Sequence, residues 1–364
     1  MKKRSGSAMG WLVAAGAAYL GWRLLARRAP ESLDGQVVLI TGGSRGLGLL
    51  LAREFARQGC RIAICARDEA ELERARRDLE ARGAEVLAVP CDVADRAQAE
   101  RLVAITAAHY GAIDVLVNNA GIIQVGPVET MTFEDFERIM AVNFFGALHT
   151  TLAVLPRMRA RRCGKIVTID SIGGRVSSPH LLPYHCAKFA LRGFSEGLRV
   201  EVAKDGIAVT TVLPGLMRTG SPVNACFKGQ QAKEFIWFAL ADSWPGLSQD
   251  AERSARKIVE ATRKGVGEVT LSWQALLLGI AHDVFPNLAL DAFALLNRLL
   301  PGADGAGTAA ARGMDLEIPR ALRLLFLPLE REAARTNQLG GEPEGMPARS
   351  AAAGQAKEPE GRGA

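Results

Sequence analysis

From residue 36 onward, short apolar runs alternate with stretches of helical period, and no other feature of the sequence restricts the fold as tightly. Val37–Thr41, residues 61–65, Val86–Pro90, 113–117, 165–169 and Ile207–Leu213 read as strands, with 268–273 as a last one. Residues 46–58, 69–82, a stretch ending at Tyr110, 133–159 and 184–204 read as the helices between them. Strand–helix alternation of this kind predicts an α/β fold, a doubly wound parallel sheet with flanking helices on both faces. No internal repeat is visible.

The first strand runs into Thr41-Gly42-Gly43-Ser44-Arg45-Gly46-Leu47-Gly48, which opens the first helix. Glycines between a strand and a helix allow a tight turn and a close backbone approach to a pyrophosphate. The helix N-terminus then offers N–H groups and the positive end of its dipole. Gly42, Ser44, Arg45, Gly46, Leu47 and Gly48 are therefore candidate dinucleotide contacts, and the sheet is expected to be Rossmann-like.

The spacing T-G-x-x-x-G-x-G resembles that of the short-chain dehydrogenase/reductase family, and the resemblance continues in order. Asn118-Asn119-Ala120-Gly121 follows the fourth strand, Asn143 lies in a helix, and Ser171 ends the fifth strand. Tyr184-His185-Cys186-Ala187-Lys188 matches Y-x-x-x-K, and Pro214-Gly215 with Thr219 follows the sixth strand. The likeness covers residues 34–273. It implies an oxidoreductase acting on CH–OH and C=O groups, with Asn119, Ala120, Gly121, Pro214, Gly215 and Thr219 at the cofactor. Asp92 and Val93, after the third strand, would meet the adenine.

Tyr184 and Lys188 share one face of a helix, four residues apart. An ordinary tyrosine, with a pKa of about 10, is a poor base at neutral pH. A nearby ammonium is expected to favour its phenolate. The resemblance implies that Tyr184 exchanges the proton and that Lys188 also binds the nicotinamide ribose. Ser171 would hydrogen-bond the carbonyl oxygen, and Asn143 would hold a water leading from Lys188 to solvent. Asp170 departs from the family, which often has a small residue there. His180 and His185 read as loop or helix-surface residues, since no G-x-S-x-G elbow accompanies them.

The second strand ends Cys65-Ala66-Arg67, where an NAD enzyme usually carries an acid for the ribose hydroxyls. A carboxylate repels a 2′-phosphate, whereas an arginine makes charge-assisted bonds to it. Arg67, with Arg45 as a second positive group, predicts NADP(H).

Residues 1–30 stand apart. Lys2, Lys3 and Arg4 precede an uncharged run from Ser5 to Trp22, and Arg23, Arg27 and Arg28 follow it. This reads as a membrane tether with interfacial Trp11, Tyr19 and Trp22, rather than a cleaved signal. The expected organisation is 1–30 tether, 31–274 catalytic domain, 275–335 apolar helical cap and 336–364 disordered tail. The tail is rich in Gly, Pro, Ala and Glu from Gly340 on. The catalytic domain should face the cytoplasm at a membrane. Net charge is +6, but the basic residues are dispersed along helices or flank the tether, so no nucleic-acid partner is expected. The six cysteines form no C-x-x-C pair, and no metal is expected.

Residues 216–248 should cover the substrate. Met217, Val223, Phe227, Phe235, Ile236, Trp237, Phe238 and Trp244 favour a lipophilic ketone: a 3-ketoacyl chain, a keto-sphingoid base or a steroid-like carbonyl. Oxidation of a lipophilic alcohol, or a low-turnover NADP(H)-binding scaffold, are the competing readings. The resemblance implies a homodimer or homotetramer paired through the helices of Asn143 and Tyr184.

Overall fold

Every residue of Val37–Thr41 (β1) is buried, because the strand lies mid-sheet with helices on both sides. Its residues alternate between two cores. Val38 and Ile40 face one, Val37 and Leu39 the other. Arg61–Ala66 (β2) repeats the division with Ile62 and Ile64 against Ala63 and Cys65. Val86–Pro90 (β3), Val115–Asn118 (β4), Gly164–Ile169 (β5), Ile207–Leu213 (β6) and Glu268–Thr270 (β7) complete the main sheet.

All pairings in this sheet are parallel, in the order β7-β6-β5-β4-β1-β2-β3. The chain runs outward from β1 in one direction and resumes at β4 in the other. That reversal opens a crevice beyond the C-terminal ends of β1 and β4, the usual ligand position in a doubly wound sheet. Gly46–Arg57 (α1) and Glu69–Glu80 (α2) pack on the first core; Arg96–Tyr110 (α3) packs on the second.

The helix expected over 133–159 is broken. Phe133–Met140 (α4) passes through a π turn, Ala141–Phe145, into Gly146–Arg161 (α5). This stretch is long and apolar enough to cross a membrane by composition, but Val154, Leu155 and Met158 pack into the second core. Leu182–Val202 (α6) starts two residues earlier than its pattern suggested, with Pro183 in its first turn. Gln231–Ser243 (α7) and Ala251–Lys264 (α8) follow.

The predicted apolar cap is a helical hairpin and a separate helix. Trp273–Val284 (α9) and Pro286–Asn297 (α10) meet at a bend of 118°, at Phe285-Pro286. Proline cannot continue α9 and starts α10 instead. Arg320–Arg335 (α11) returns to the body, where Phe326, Leu329 and Ala333 join Val223, Phe227, Phe235 and Phe238 in a third core.

The computed structural model describes residues 31–339 except 245, 247, 304–306 and 319, together with positions 10, 11, 14 and 16. The rest of the expected tether, and residues 340–364 of the expected disordered tail, lie outside the described residues. Residues 336–339 do not belong to a disordered tail. Asn337 takes a left-handed conformation (φ 57°) that caps α11, and Leu339 packs against the third core.

Candidate active site

The crevice contains a cavity of about 940 Å³. Its floor is the glycine loop, where the absence of side chains is a steric requirement. A Cβ on Gly48 would lie 2.0 Å from the Gly42 carbonyl oxygen, and one on Gly43 would lie 2.5 Å from Ile64 Cγ2. Asn119 braces the loop, with Nδ2 donating to the carbonyls of Thr41 and Gly42 at 3.0 Å each. Thr41 Oγ1 accepts from the N–H groups of Asn119 and Ala120. Thus the Asn-Asn-Ala-Gly segment fixes the cradle from behind. A dinucleotide fits here: Gly46, Leu47 and Gly48, at the positive end of α1, all line the cavity.

Arg67, Asp92 and Val93, the residues expected at the adenosine, line the cavity too. Arg67 is largely exposed, 3.9 Å from Asp92. Asp68, the next acid after β2, is engaged as the N-cap of α2, accepting from Glu71 N. Arg45 is held by Glu71 at 2.8 Å and Asn224 at 3.2 Å, and Ser44 Oγ also donates to Glu71. Glu71 had no sequence signal beyond its place in a charged helix.

At the other end Ser171, Tyr184 and Lys188 meet, with Pro214, Gly215 and Thr219 beside them. Ser171 Oγ accepts from Gly173 N at 2.9 Å, capping the short turn Ile172–Gly174. Lys188 Nζ donates to Ile169 O at 2.8 Å and lies 5.7 Å from the centre of the Tyr184 ring. Burial pushes the Tyr184 phenol up to about 12, against the pull of its hydrogen bond with Ser171. Burial pushes the Lys188 amine down, while Asp170 pulls it back up. Among the influences from the chain itself, desolvation of the phenolate is the largest on Tyr184.

Every residue predicted for the site lines this cavity except Asn143. Its side chain grips the backbone of Ile122 instead, Oδ1 accepting from N at 2.8 Å and Nδ2 donating to O at 3.0 Å. The π turn at Ala141–Phe145 brings Asn143 there, so it braces the loop after β4.

Asp170 is buried, and neither carboxylate oxygen has a hydrogen-bond partner among the described residues. Burial raises it to about 7, opposed by Lys188 and Arg192. Neither His180 nor His185 is a surface residue. His185 Nε2 accepts from Ser178 N at 2.9 Å, and its Nδ1 lies 2.8 Å from Gly173 O, so the ring staples the loop that carries Ser171. His180 is buried against Glu234, Nδ1 to Oε2 2.9 Å. Both face inward because α6 and α7 close over this loop, which spacing alone does not reveal.

Of the apolar residues expected over the substrate, Met217 and Phe238 reach the cavity wall. Val223, Phe227 and Phe235 are core residues, and Trp244 is exposed. The aromatic run fastens α7 to α11 more than it touches the cavity. Sequence reasoning missed Leu278 and Phe293, which line the cavity from α9 and α10. It also missed Asp242, a buried acid whose Oδ1 accepts from Met217 N at 3.1 Å.

A Rossmann-like sheet with a glycine cradle and a joined Ser–Tyr–Lys set is the arrangement that the resemblance to the short-chain dehydrogenase/reductase family implied. The comparisons agree. The short chain dehydrogenase family model matches residues 36–225, and the chain belongs to the short-chain dehydrogenase/reductase family. It is 42% identical over 204 residues to the Dehydrogenase/reductase SDR family protein 7-like of Anopheles gambiae, covering 55% of this chain and 64% of that protein. The chain thus spans less than two thirds of the length of that relative. A fatty acyl-CoA reductase of Acinetobacter baylyi is 37% identical over 191 residues, 52% of this chain and 65% of its own. Among solved structures, a short-chain dehydrogenase from Streptomyces avermitilis superposes with a TM-score of 0.63 at 31% identity, over 72% of this chain and 98% of that one.

Proposed function

We propose that this protein reduces a carbonyl on a lipophilic substrate at the expense of NADPH, working at a membrane surface. The observation that supports the reading best is the shape of the site. The Ser171, Tyr184 and Lys188 side chains end a cavity whose outer wall includes Leu278 and Phe293 of an exposed apolar hairpin.

When bound, the nicotinamide supplies the hydride to the carbonyl carbon. The chain's own groups handle the oxygen. Ser171 Oγ donates a hydrogen bond to the substrate oxygen and stabilises its developing charge. Tyr184, kept as the neutral phenol by burial, gives that oxygen its proton. Lys188 Nζ, already donating to Ile169 O, would hold the ribose side of the bound cofactor and pass a proton taken from solvent back to Tyr184. His185 and Asn143 keep the loops of Ser171 and Ile122 in register.

NADP(H) is favoured over NAD(H) by the end of β2, where Ala66 replaces the acid, Arg67 is exposed and Asp68 is committed to capping α2. Arg67→Ala should raise the KM for NADPH about tenfold, as expected for losing a charged hydrogen-bond donor. The KM for NADH should stay within about twofold. An equal rise for both cofactors would remove the assignment.

The hairpin supports membrane work. Trp273, Leu277, Val284, Phe285, Leu288, Leu295 and Leu299 are each more than half exposed. Contiguous apolar surface of this kind marks an interaction site. Lipid contact there would let an apolar ketone pass from the bilayer into the cavity. The N-terminal segment would hold the catalytic domain at the cytoplasmic face. The name of the Acinetobacter relative, a fatty acyl-CoA reductase, fits a lipid carbonyl. Tyr184→Phe should lower turnover by about 10²–10⁴-fold while NADPH binding persists. Wild-type turnover in that variant would remove the mechanism.

A further inference from the structure

We infer that residues 336–338 form a clasp across the dinucleotide cradle that retains bound cofactor and slows its release. The inference rests on the family's nicotinamide cofactor, but on neither the NADPH preference nor the substrate.

The clasp is the C-terminal cap of α11. Gln338 N donates to Ala333 O at 2.7 Å and Asn337 N to Ala334 O at 3.2 Å, closing the helix around a left-handed Asn337. Paired bonds of this kind are the common way for a helix to stop, and asparagine tolerates the conformation nearly as well as glycine. The helix is placed from below. A Cβ on Gly220 would lie 2.6 Å from Ala333 Cα, so α11 rests directly on the loop after β6.

From that position the cap bonds to each wall of the cradle. Thr336 O accepts from Gly46 N at 2.8 Å, using the first N–H of α1. Asn337 Nδ2 donates to Ser44 O at 2.8 Å and Glu71 O at 3.0 Å, and its Oδ1 accepts from Arg74 Nε at 3.0 Å. Thr336 Oγ1 donates to Thr219 O at 2.8 Å, and Gln338 Nε2 donates to the same oxygen. Asn224 Nδ2 donates to Gln338 O at 3.2 Å.

The glycine loop, the start of α2 and the loop after β6 are thereby tied together, and Gln338 forms part of the cavity wall. These are the elements that would embrace the adenosine and pyrophosphate. The clasp lies outside residues 36–225, the part of the chain matched by the family model. Cofactor leaving the cradle must pass the cap or wait for it to lift. Retention of this kind sets a release rate, and release steps limit turnover in many enzymes.

Asn337→Gly keeps the left-handed cap while deleting the bonds to Ser44, Glu71 and Arg74. Gln338→Ala removes the second bond to Thr219 O and the side chain that reaches the cavity wall, leaving the bond from Thr336. Stopped-flow displacement, followed by NADPH fluorescence, gives the dissociation rate in the full chain, and thermal unfolding reports the fold. The clasp predicts release about tenfold faster in each variant, with a melting temperature lowered by only a few degrees. Wild-type release rates in variants that fold overturn it; should Asn337→Gly not fold, Gln338→Ala decides. Failure of the wild-type chain to bind either NADPH or NADH contradicts the cofactor reading itself, a result separate from loss of the clasp.

Discussion

Burial sets the protonation of the side chains around the reacting oxygen. Tyr184 is held as a phenol and Lys188 is pushed toward its neutral form, because the cavity wall desolvates both. A protonated tyrosine suits the reducing direction. His185 is depressed by burial, so the folded state keeps the neutral ring. A histidine whose folded pKa lies below its unfolded value of about 6.5 gives stability that is full above that pH and is lost as pH falls through the folded value. His185→Gln should cost about 1–3 kcal/mol at pH 7.5, by leaving buried partners unmatched. The gap to wild type should narrow toward pH 5, where protonation weakens the native staple. Thermal melts across that range test it, and a pH-independent gap would contradict the role. Asp242 has the opposite sign. Burial raises it to about 7, so its contribution is present at low pH and lost as pH rises through that value. Asp242→Asn should therefore melt a few degrees above wild type at pH 8, roughly 2–4 °C for each kcal/mol, with an advantage that shrinks as pH falls from about 7 toward about 4. A lower melting point at pH 8 would show that the ionised acid has a partner.

The strands and the crossover helices were legible because their apolar periods are strong and local. The cradle was legible because its glycines follow a strand and open a helix, a context that survives in one dimension. The break at Ala141–Phe145 was not, since π geometry leaves no mark in the apolar spacing of 133–159. Nor was the inward turn of His185, which depends on what α6 meets. The clasp was hidden for the same reason. Thr336, Asn337 and Gln338 look like the polar start of a disordered tail until α11 is seated on Gly220. The hairpin was visible as two apolar stretches, but its attachment was not. Arg175, four residues beyond Ser171, pairs with Asp283 at the end of α9 and ties the hairpin to the catalytic loop. Leu277→Glu with Leu288→Glu should abolish co-flotation with liposomes while leaving the melting temperature within about 2 °C, because both residues are more than half exposed. Undiminished flotation would move membrane contact elsewhere.

The whole molecule sets a family sheet beside an apolar hairpin and a C-terminal helix. The sheet and cradle belong to the family; under the proposed function the hairpin would serve an apolar substrate, and under the clasp inference α11 and residues 336–338 would retain the cofactor. Deleting residues 1–30 should shift protein from the membrane fraction to the soluble one without loss of turnover on a dispersed substrate. A soluble full-length protein would contradict the tether. The central claim is reduction of a lipid carbonyl with Tyr184 as proton donor. Its most direct test incubates purified protein with NADPH and a fractionated lipid extract, following NADPH absorbance and identifying the product by mass spectrometry. The account predicts NADPH consumption matched by a lipid alcohol heavier than its ketone by two hydrogens, with wild type and not with Tyr184→Phe. No consumption with any carbonyl-bearing fraction, or equal consumption by the variant, would contradict it.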